Sequence, residues 1–93
     1  MSLTASILSA VTLPALHLNG TSADDLLEQQ ADVLAALEGL RQALAKATPN
    51  ARDYYVVSET AYAEALAAHR AEFSVLEALV SRHEVIGLHL AGG

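Results

Sequence analysis

Hydrophobic side chains recur at helical spacing in the first half of the chain. Their separations are seven, four, three, four and three residues, over Leu26, Val33, Leu37, Leu40, Leu44 and Ala47. This heptad pattern is typical of a helix that packs lengthwise against another helix. Leu27 and Leu34 lie beside the seam and make it broader than a two-stranded coiled coil needs. The pattern predicts helix one over residues 23–47.

The second half of the chain repeats the alternation of four and three residues. Its members are Tyr62, Leu66, His69, Phe73, Leu76, Val80 and His83. This spacing predicts helix two over residues 58–87. Ser58 is expected to cap its first turn, and Gly87 offers a C-terminal stop.

The segment between the two helices carries strong turn signals. Pro49 disfavours the helical conformation at Thr48, and Asn50 tolerates turn conformations. We therefore expect a loop over residues 48–57 and two helices that fold back on each other. The predicted fold class is all-α: an antiparallel, coiled-coil-like two-helix hairpin with an apolar, partly extended N-terminal arm.

The arm comprises residues 1–19, which are apolar without a clean period. Pro14 divides it and favours an extended conformation at Leu13. An uncharged arm would be a solubility liability if free, so we expect it to dock on its own helices or on a neighbouring chain. The expected organisation is this arm, a helical hairpin over 20–91 and a short tail over 88–93. The LHL triplet at 88–90 could be extended, like the LHL triplet at 16–18.

The start of helix one has a capping signature. Asn19 and Gly20 form a turn dipeptide, and Ser22 follows as the expected N-cap. Asp25, three residues on, completes an S-x-x-D capping box in a turn where the helix dipole favours acids. These acids are therefore interpreted as structural.

One polar residue interrupts the first seam. Gln30 lies between Leu26 and Leu37, where a polar side chain often fixes register or oligomeric state. The alternative is a glutamine near the helix start that reaches solvent. The sequence leaves both interpretations open.

Composition excludes several classes of function. The 93 residues suit one small domain with a modest core, so help from partner subunits is plausible. Eleven acids and five isolated bases give a net charge of −6, which argues against binding to nucleic acid or to an anionic membrane. The uncharged arm is too short and too polar for a transmembrane helix. Cysteine is absent, so disulfides and thiolate metal sites are excluded.

Histidine is the one residue type that invites a chemical argument. His69 and His83 both fall on the second seam, but fourteen residues of helix separate them by about 21 Å, too far to share a metal ion. Their protonation could loosen the packing below about pH 6. No catalytic triad, phosphate loop or paired metal motif is present. We therefore expect no enzymatic activity and no catalytic, cofactor-binding or metal-binding residue.

Two regions are candidate partner-binding surfaces. One is the arm, whose apolar side chains need cover. The other is the loop, where two adjacent tyrosines accompany an arginine and an aspartate, although a tyrosine there could also simply cap the helical core. The candidate residues are Ile7, Leu8, Val11, Leu13, Leu16, Leu18, Arg52, Asp53, Tyr54 and Tyr55.

Three segments of the chain carry a family resemblance. They read LPALHLNGTS at 13–22, LLEQ at 26–29 and PNARDYY at 49–55. Together they resemble a family of small uncharacterised proteins encoded in tailed-phage and prophage genomes. The resemblance implies a phage setting, and it transfers no catalytic residue.

A phage setting suggests a role for the predicted architecture. Small helical proteins with apolar arms suit the interfaces between larger subunits of a symmetric particle. We expect a minor structural or assembly component of a phage virion, bound in several copies to larger phage proteins and to copies of itself. The alternative is a soluble regulatory or chaperone-like adaptor in the cytoplasm of the infected host, absent from the particle.

Overall fold

The computed structural model describes residues 11–92 and consists of two packed helices. Helix α1 spans Ala23–Lys46 and helix α2 spans Ala61–Leu90. A short 3-10 helix, Ala51–Asp53, lies in the loop between them. The two helices pack against each other along their length, and the part of the chain described here contains no strand. The predicted all-α hairpin is therefore confirmed.

The bounds of α1 agree with the hydrophobic pattern to within one residue. Its N-cap is Ser22, whose Oγ accepts a hydrogen bond of 3.1 Å from the backbone N–H of Asp25. This is the forward half of the predicted capping box. The helix ends at Lys46, and the hydroxyl of Thr48 donates to the carbonyl oxygen of Ala45 at 2.7 Å. Thr48 thereby satisfies one of the carbonyls that a helix end leaves without a partner.

Helix α2 begins three residues later than the predicted position 58. The chain between Tyr54 and Val57 forms turns, which delay the helix, so the predicted cap at Ser58 is wrong. Thr60 is the N-cap instead, and its hydroxyl donates to Oε1 of Glu64 at 3.0 Å rather than accepting from the backbone.

The C-terminal end of α2 also differs from the prediction. Gly87 lies inside the helix, which continues through the LHL triplet to Leu90. Beyond the C-cap Ala91, Gly92 has a φ of +84°, the left-handed conformation that glycine adopts readily. The extended conformation suggested for residues 88–90 is therefore wrong. Burial of Ile86 and Leu90 offsets the roughly 1 kcal/mol that a glycine costs inside a helix.

The buried side chains of the described residues belong to α2. Leu76 and Ala78 are each 2% exposed, although two residues on a helix differ in direction by about 200°. The C-terminal half of α2 is thus covered on two opposite sides. One side faces α1, and the other carries His89, which contacts the arm. Helix α2 is therefore the central element of the fold.

Helix α1 contains no buried residue. Its best-covered apolar side chains are half-buried: Leu26, Leu27, Val33, Leu34, Leu37 and Leu44. Leu40 and Ala47, which the heptad pattern places on the seam, are exposed. A straight helix drifts by about 20° per heptad relative to a 3.5-residue repeat, so these two later positions rotate away from α2.

The described part of the arm lies against the end of α2. Residues 11–17 have no regular secondary structure, as expected, and Val11 and Pro14 are half-buried. The Nε2–H of His89 donates to the carbonyl oxygen of Pro14 at 2.9 Å. A turn closed by a 3.0 Å hydrogen bond from Gly20 N to the carbonyl oxygen of His17 then leads into α1. The arm therefore docks on its own helix in part.

The molecule is elongated. Its principal extents are 61 × 27 × 20 Å, and its radius of gyration is 17.9 Å, against about 12 Å for a compact chain of this length. Within residues 11–92, no helix is long and apolar enough to cross a membrane.

The cap of α1 makes a direct prediction for stability. Replacing Ser22 by Ala removes the acceptor for the Asp25 amide and should lower the free energy of unfolding by about 1 kcal/mol, measured by urea titration. Ser58→Ala is the matched control, because the Ser58 hydroxyl contacts the hydroxyl of Thr60 at 3.5 Å and does not cap α2. Equal losses in the two variants would contradict this assignment.

Candidate interaction surfaces

A histidine of α2 and a glutamine of α1 meet across the seam. Nδ1 of His83 lies 2.6 Å from Oε1 of Gln30, so the imidazole donates its Nδ1–H to the amide oxygen. Nη1 of Arg82 lies 3.3 Å from Nε2 of His83 and donates to it. These contacts select the neutral tautomer with its proton on Nδ1. Of the two interpretations of Gln30, the structure supports the seam contact.

The surroundings of His83 disfavour its protonated form. Partial burial, and secondly the positive charge of Arg82, lower the pKa of His83 below its ordinary value of 6.5. Protonation would also eliminate the lone pair that accepts from Arg82. The contacts in the seam therefore favour the neutral form of His83.

The second seam histidine makes a different contact near the loop. His69 is buried, and its Nε2 lies 3.3 Å from Oγ1 of Thr48, just beyond the end of α1. Because that hydroxyl gives its proton to Ala45, the imidazole is the donor. The His69 ring also packs edge-on against Phe73, with centroids 5.1 Å apart. Both seam histidines thus reach from α2 to the α1 side of the hairpin.

Both seam histidines have structural partners. Each is occupied by a structural hydrogen bond to the opposite side of the hairpin. In the range 11–92, no three His, Cys, Asp or Glu side chains group closely enough to hold a metal ion.

The loop is ordered by its own polar contacts. The side chain of Asn50 accepts a 3.0 Å hydrogen bond from the backbone N–H of Arg52, which starts the 3-10 helix. Arg52 and Asp53 are exposed on this short helix. Tyr54 is half-buried, as a tyrosine that caps the helical core would be.

The next three residues form an exposed apolar patch. Tyr55, Val56 and Val57 are each at least 70% exposed, and we call them the loop patch. Of the predicted loop residues, Tyr55 therefore points outward and Tyr54 inward. The two valines were not among the predicted contacts. A run of apolar residues outside any helical period, between Asp53 and Ser58, was the signal that could have revealed them.

The opposite end of the hairpin exposes a second apolar set. Leu13, Leu16 and Leu18 are exposed, Leu18 by 98%, and we call them the arm patch. Val11 of the predicted set is half-buried, whereas Ile7 and Leu8 lie outside the described residues. Leu88, near the end of α2, is also exposed and was not predicted as a contact.

A groove runs between the helices near their middle. Its volume is about 400 Å³, and its lining residues are Glu38, Arg41, Leu76, Glu77, Val80, Ser81 and Glu84. Arg41 forms a two-bond contact of 2.8 and 2.9 Å with Glu38, which together with Gln42 lowers the pKa of Glu38 to about 2. This pair is exposed to solvent, which screens it, so it contributes little to stability.

Comparisons with known proteins add no further assignment. The chain matches no protein-family model, no curated protein and no solved structure. The surfaces described above are therefore the basis for a proposal on function.

The lowered pKa of His83 predicts a pH dependence of stability. In the unfolded chain this histidine takes up a proton near pH 6.5, whereas the folded protein resists protonation. The stabilisation is complete above pH 6.5 and is lost as the pH falls through the lowered pKa. The melting temperature should therefore fall between about pH 7.5 and about pH 5.

The variant His83→Asn isolates this contribution. An asparagine can place its amide N–H near the position of Nδ1 and does not titrate, so the fall in melting temperature should become smaller. His17→Asn is the control, because His17 is exposed. An identical pH profile in the wild type and His83→Asn would contradict the prediction.

The pair of Gln30 and His83 also predicts a double-mutant result. Gln30→Leu leaves the Nδ1–H of His83 without its acceptor and should lower the free energy of unfolding by about 1–3 kcal/mol. Adding His83→Leu removes the unpaired donor and should recover much of this loss. Additive losses in urea unfolding would show that the two side chains are not coupled.

Proposed function

We propose that this chain is a non-enzymatic interaction protein, a minor structural or assembly component of a tailed-phage virion. In this role it binds in several copies to larger head, neck or tail proteins. The proposal depends on one observation above all. The hairpin exposes an apolar patch at each of its two ends, in a chain whose helices supply little buried core.

The exposure of these patches is unusual for a free monomer. Isolated apolar side chains are normal on protein surfaces, but contiguous ones mark sites of interaction. The loop patch is a run of three consecutive residues, and the arm patch carries three leucines within six residues. Keeping these side chains in water costs a free energy of about 25 cal/mol per Å² of apolar surface. Binding at both ends would remove this cost and suits a component that bridges larger subunits.

The phage setting comes from the sequence resemblance. Two of the three signature segments, 13–22 and 49–55, include the arm patch and the beginning of the loop patch. The third segment, LLEQ at 26–29, contributes Leu26 and Leu27 to the packing of α1.

Removal of the arm tests the proposal. Deleting residues 1–13 should leave most of the helix content, measured by circular dichroism, because α1 and α2 pack through their own seam. The same deletion should reduce incorporation into particles of a phage that encodes the chain, measured by mass spectrometry of purified virions. Absence of the full-length protein from purified particles would contradict the virion assignment and favour the soluble adaptor.

Single substitutions test the arm patch without deleting a segment that the fold could need. Leu18→Ser alters a side chain that is almost wholly in water, so its cost in stability should be small. If the arm patch binds a partner, this variant should also reduce incorporation. Thr12→Ser, a conservative change at an exposed position of the arm, is the control.

A further inference from the structure

The C-terminal half of α2 carries a second apolar stripe beside the seam. Its members follow one another at intervals of three, one, three and four residues: Val75, Ala78, Leu79, Arg82 and Ile86. At about 100° of rotation per residue, this spacing places them on one side of the helix, roughly 110° around it from the seam residue Leu76. We call them the side face of α2. It contains four apolar residues and no acid.

The burial of the side face exceeds what α1 can supply. Ala78 is 2% exposed, yet it points about 160° away from Leu76 on the seam. One packed helix typically covers a stripe of about 100°. Ile86, near the other end of the side face, is 5% exposed. A second element must therefore lie against this side of α2.

The described part of the arm leads to the side face. The Nε2–H of His89 donates to the carbonyl oxygen of Pro14 at 2.9 Å. His89 follows Ala78 by eleven residues, or about three helical turns, so the two residues lie on the same side of α2. Val11, the first residue that the structure describes, is half-buried. The arm therefore meets α2 next to the C-terminal end of the side face.

The described residues of the arm are too few to cover Ala78. The distance along α2 from His89 to Ala78 is about 16 Å. The three residues from Pro14 back to Val11 span at most about 11 Å. The chain before Val11 is the nearest segment that could continue along the side face, because Pro14 ties it to the end of α2.

Residues 2–10 fit the side face in length and in chemistry. The seven residues from Pro14 back to Ile7 span up to about 25 Å, so Ile7 and Leu8 can reach Ala78. No side chain of residues 2–10 is charged, which suits a face that is mostly apolar. A short tether also gives a linked segment a local concentration in about the millimolar range. The chain's own arm is therefore favoured over the arm of a second copy.

We propose that residues 2–10 bind along the side face of α2 in the same chain, as a third packed element with Ile7 and Leu8 as its apolar anchors. This contact and the hydrogen bond from His89 hold Pro14 at the end of α2. They thereby fix the position of the arm patch. The inference goes beyond the proposed function and does not depend on a virion role.

Protection of a thiol is the first test. The chain has no cysteine, so a single introduced cysteine reports on one position. Ala78→Cys should react with a maleimide at least on the order of 10-fold more slowly than Glu77→Cys, because its reaction requires release of the arm. Glu77 is the matched control, since it is the neighbouring residue, is exposed and lies about 150° from the centre of the side face.

Charges placed in the arm of the full chain should remove this protection. Adding Ile7→Asp and Leu8→Asp to Ala78→Cys should raise the labelling rate to near that of Glu77→Cys, because two carboxylates resist burial against the side face. Adding Ser2→Asp and Ser9→Asp is the control of equal charge and should leave the thiol protected. An unchanged labelling rate in the variant with Ile7→Asp and Leu8→Asp would overturn the inference. Circular dichroism should show that α1 and α2 persist in both.

Disulfide trapping identifies the chain that supplies the arm. Ala78→Cys is combined in turn with a cysteine at each position from 6 to 9. At least one of these pairs should form a disulfide within one chain, detected as an oxidised monomer by mass spectrometry and on a non-reducing gel. The same four positions combined with Glu77→Cys should crosslink poorly. No crosslink at any position, or crosslinks between chains alone, would overturn the proposed contact.

The arm contact and the virion role fail separately. An oxidised monomer with a protected Ala78→Cys thiol supports the inference even where the protein is absent from purified particles, which contradicts only the proposed function. A thiol that reacts as fast as Glu77→Cys in a protein found in particles overturns the inference and leaves the proposed function standing.

Discussion

The hydrogen bond between Gln30 and His83 fixes how α1 lies along α2. Apolar contacts are not directional, so they define the alignment of two helices along their axes less strictly than hydrogen bonds do. Sliding would leave the amide and the imidazole half-buried without partners, at a cost of about 1–3 kcal/mol for each unsatisfied group. The second polar contact, from His69 to Thr48, constrains the loop end in the same way. Together the two contacts determine where the loop patch and the arm patch lie.

Helix α2 is the central helix of the hairpin, and α1 lies outside it. Helix α2 is covered by α1 on one side and contacts the arm through His89 on the other. Among the elements that the structure describes, α1 packs against α2, and Leu37 and Leu44 are half-buried. A hairpin of this kind therefore stabilises its two helices unequally.

The hydrophobic pattern predicts α1 almost completely and α2 less well, for identifiable reasons. Ser22 and Pro49 bound α1 with local chemistry that a sequence displays directly. The ends of α2 depend on tertiary context, since burial of Leu90 carries the helix through Gly87. The heptad places Leu40 on the seam because it assumes supercoiling, which a short hairpin does not sustain. Of the predicted surface residues, Tyr55 and Leu18 are exposed as expected, whereas Val56 and Val57 lack a periodic signal.

The chain is rich in hydrophobic residues, but its core contains few of them. Hydrophobic residues make up 53% of the sequence, yet five of them are buried among the residues that the structure describes. A single hairpin has too little interior to cover so many apolar side chains, so many of them remain in contact with water. The net charge of −6 opposes indiscriminate association of such a surface, because like-charged molecules repel one another.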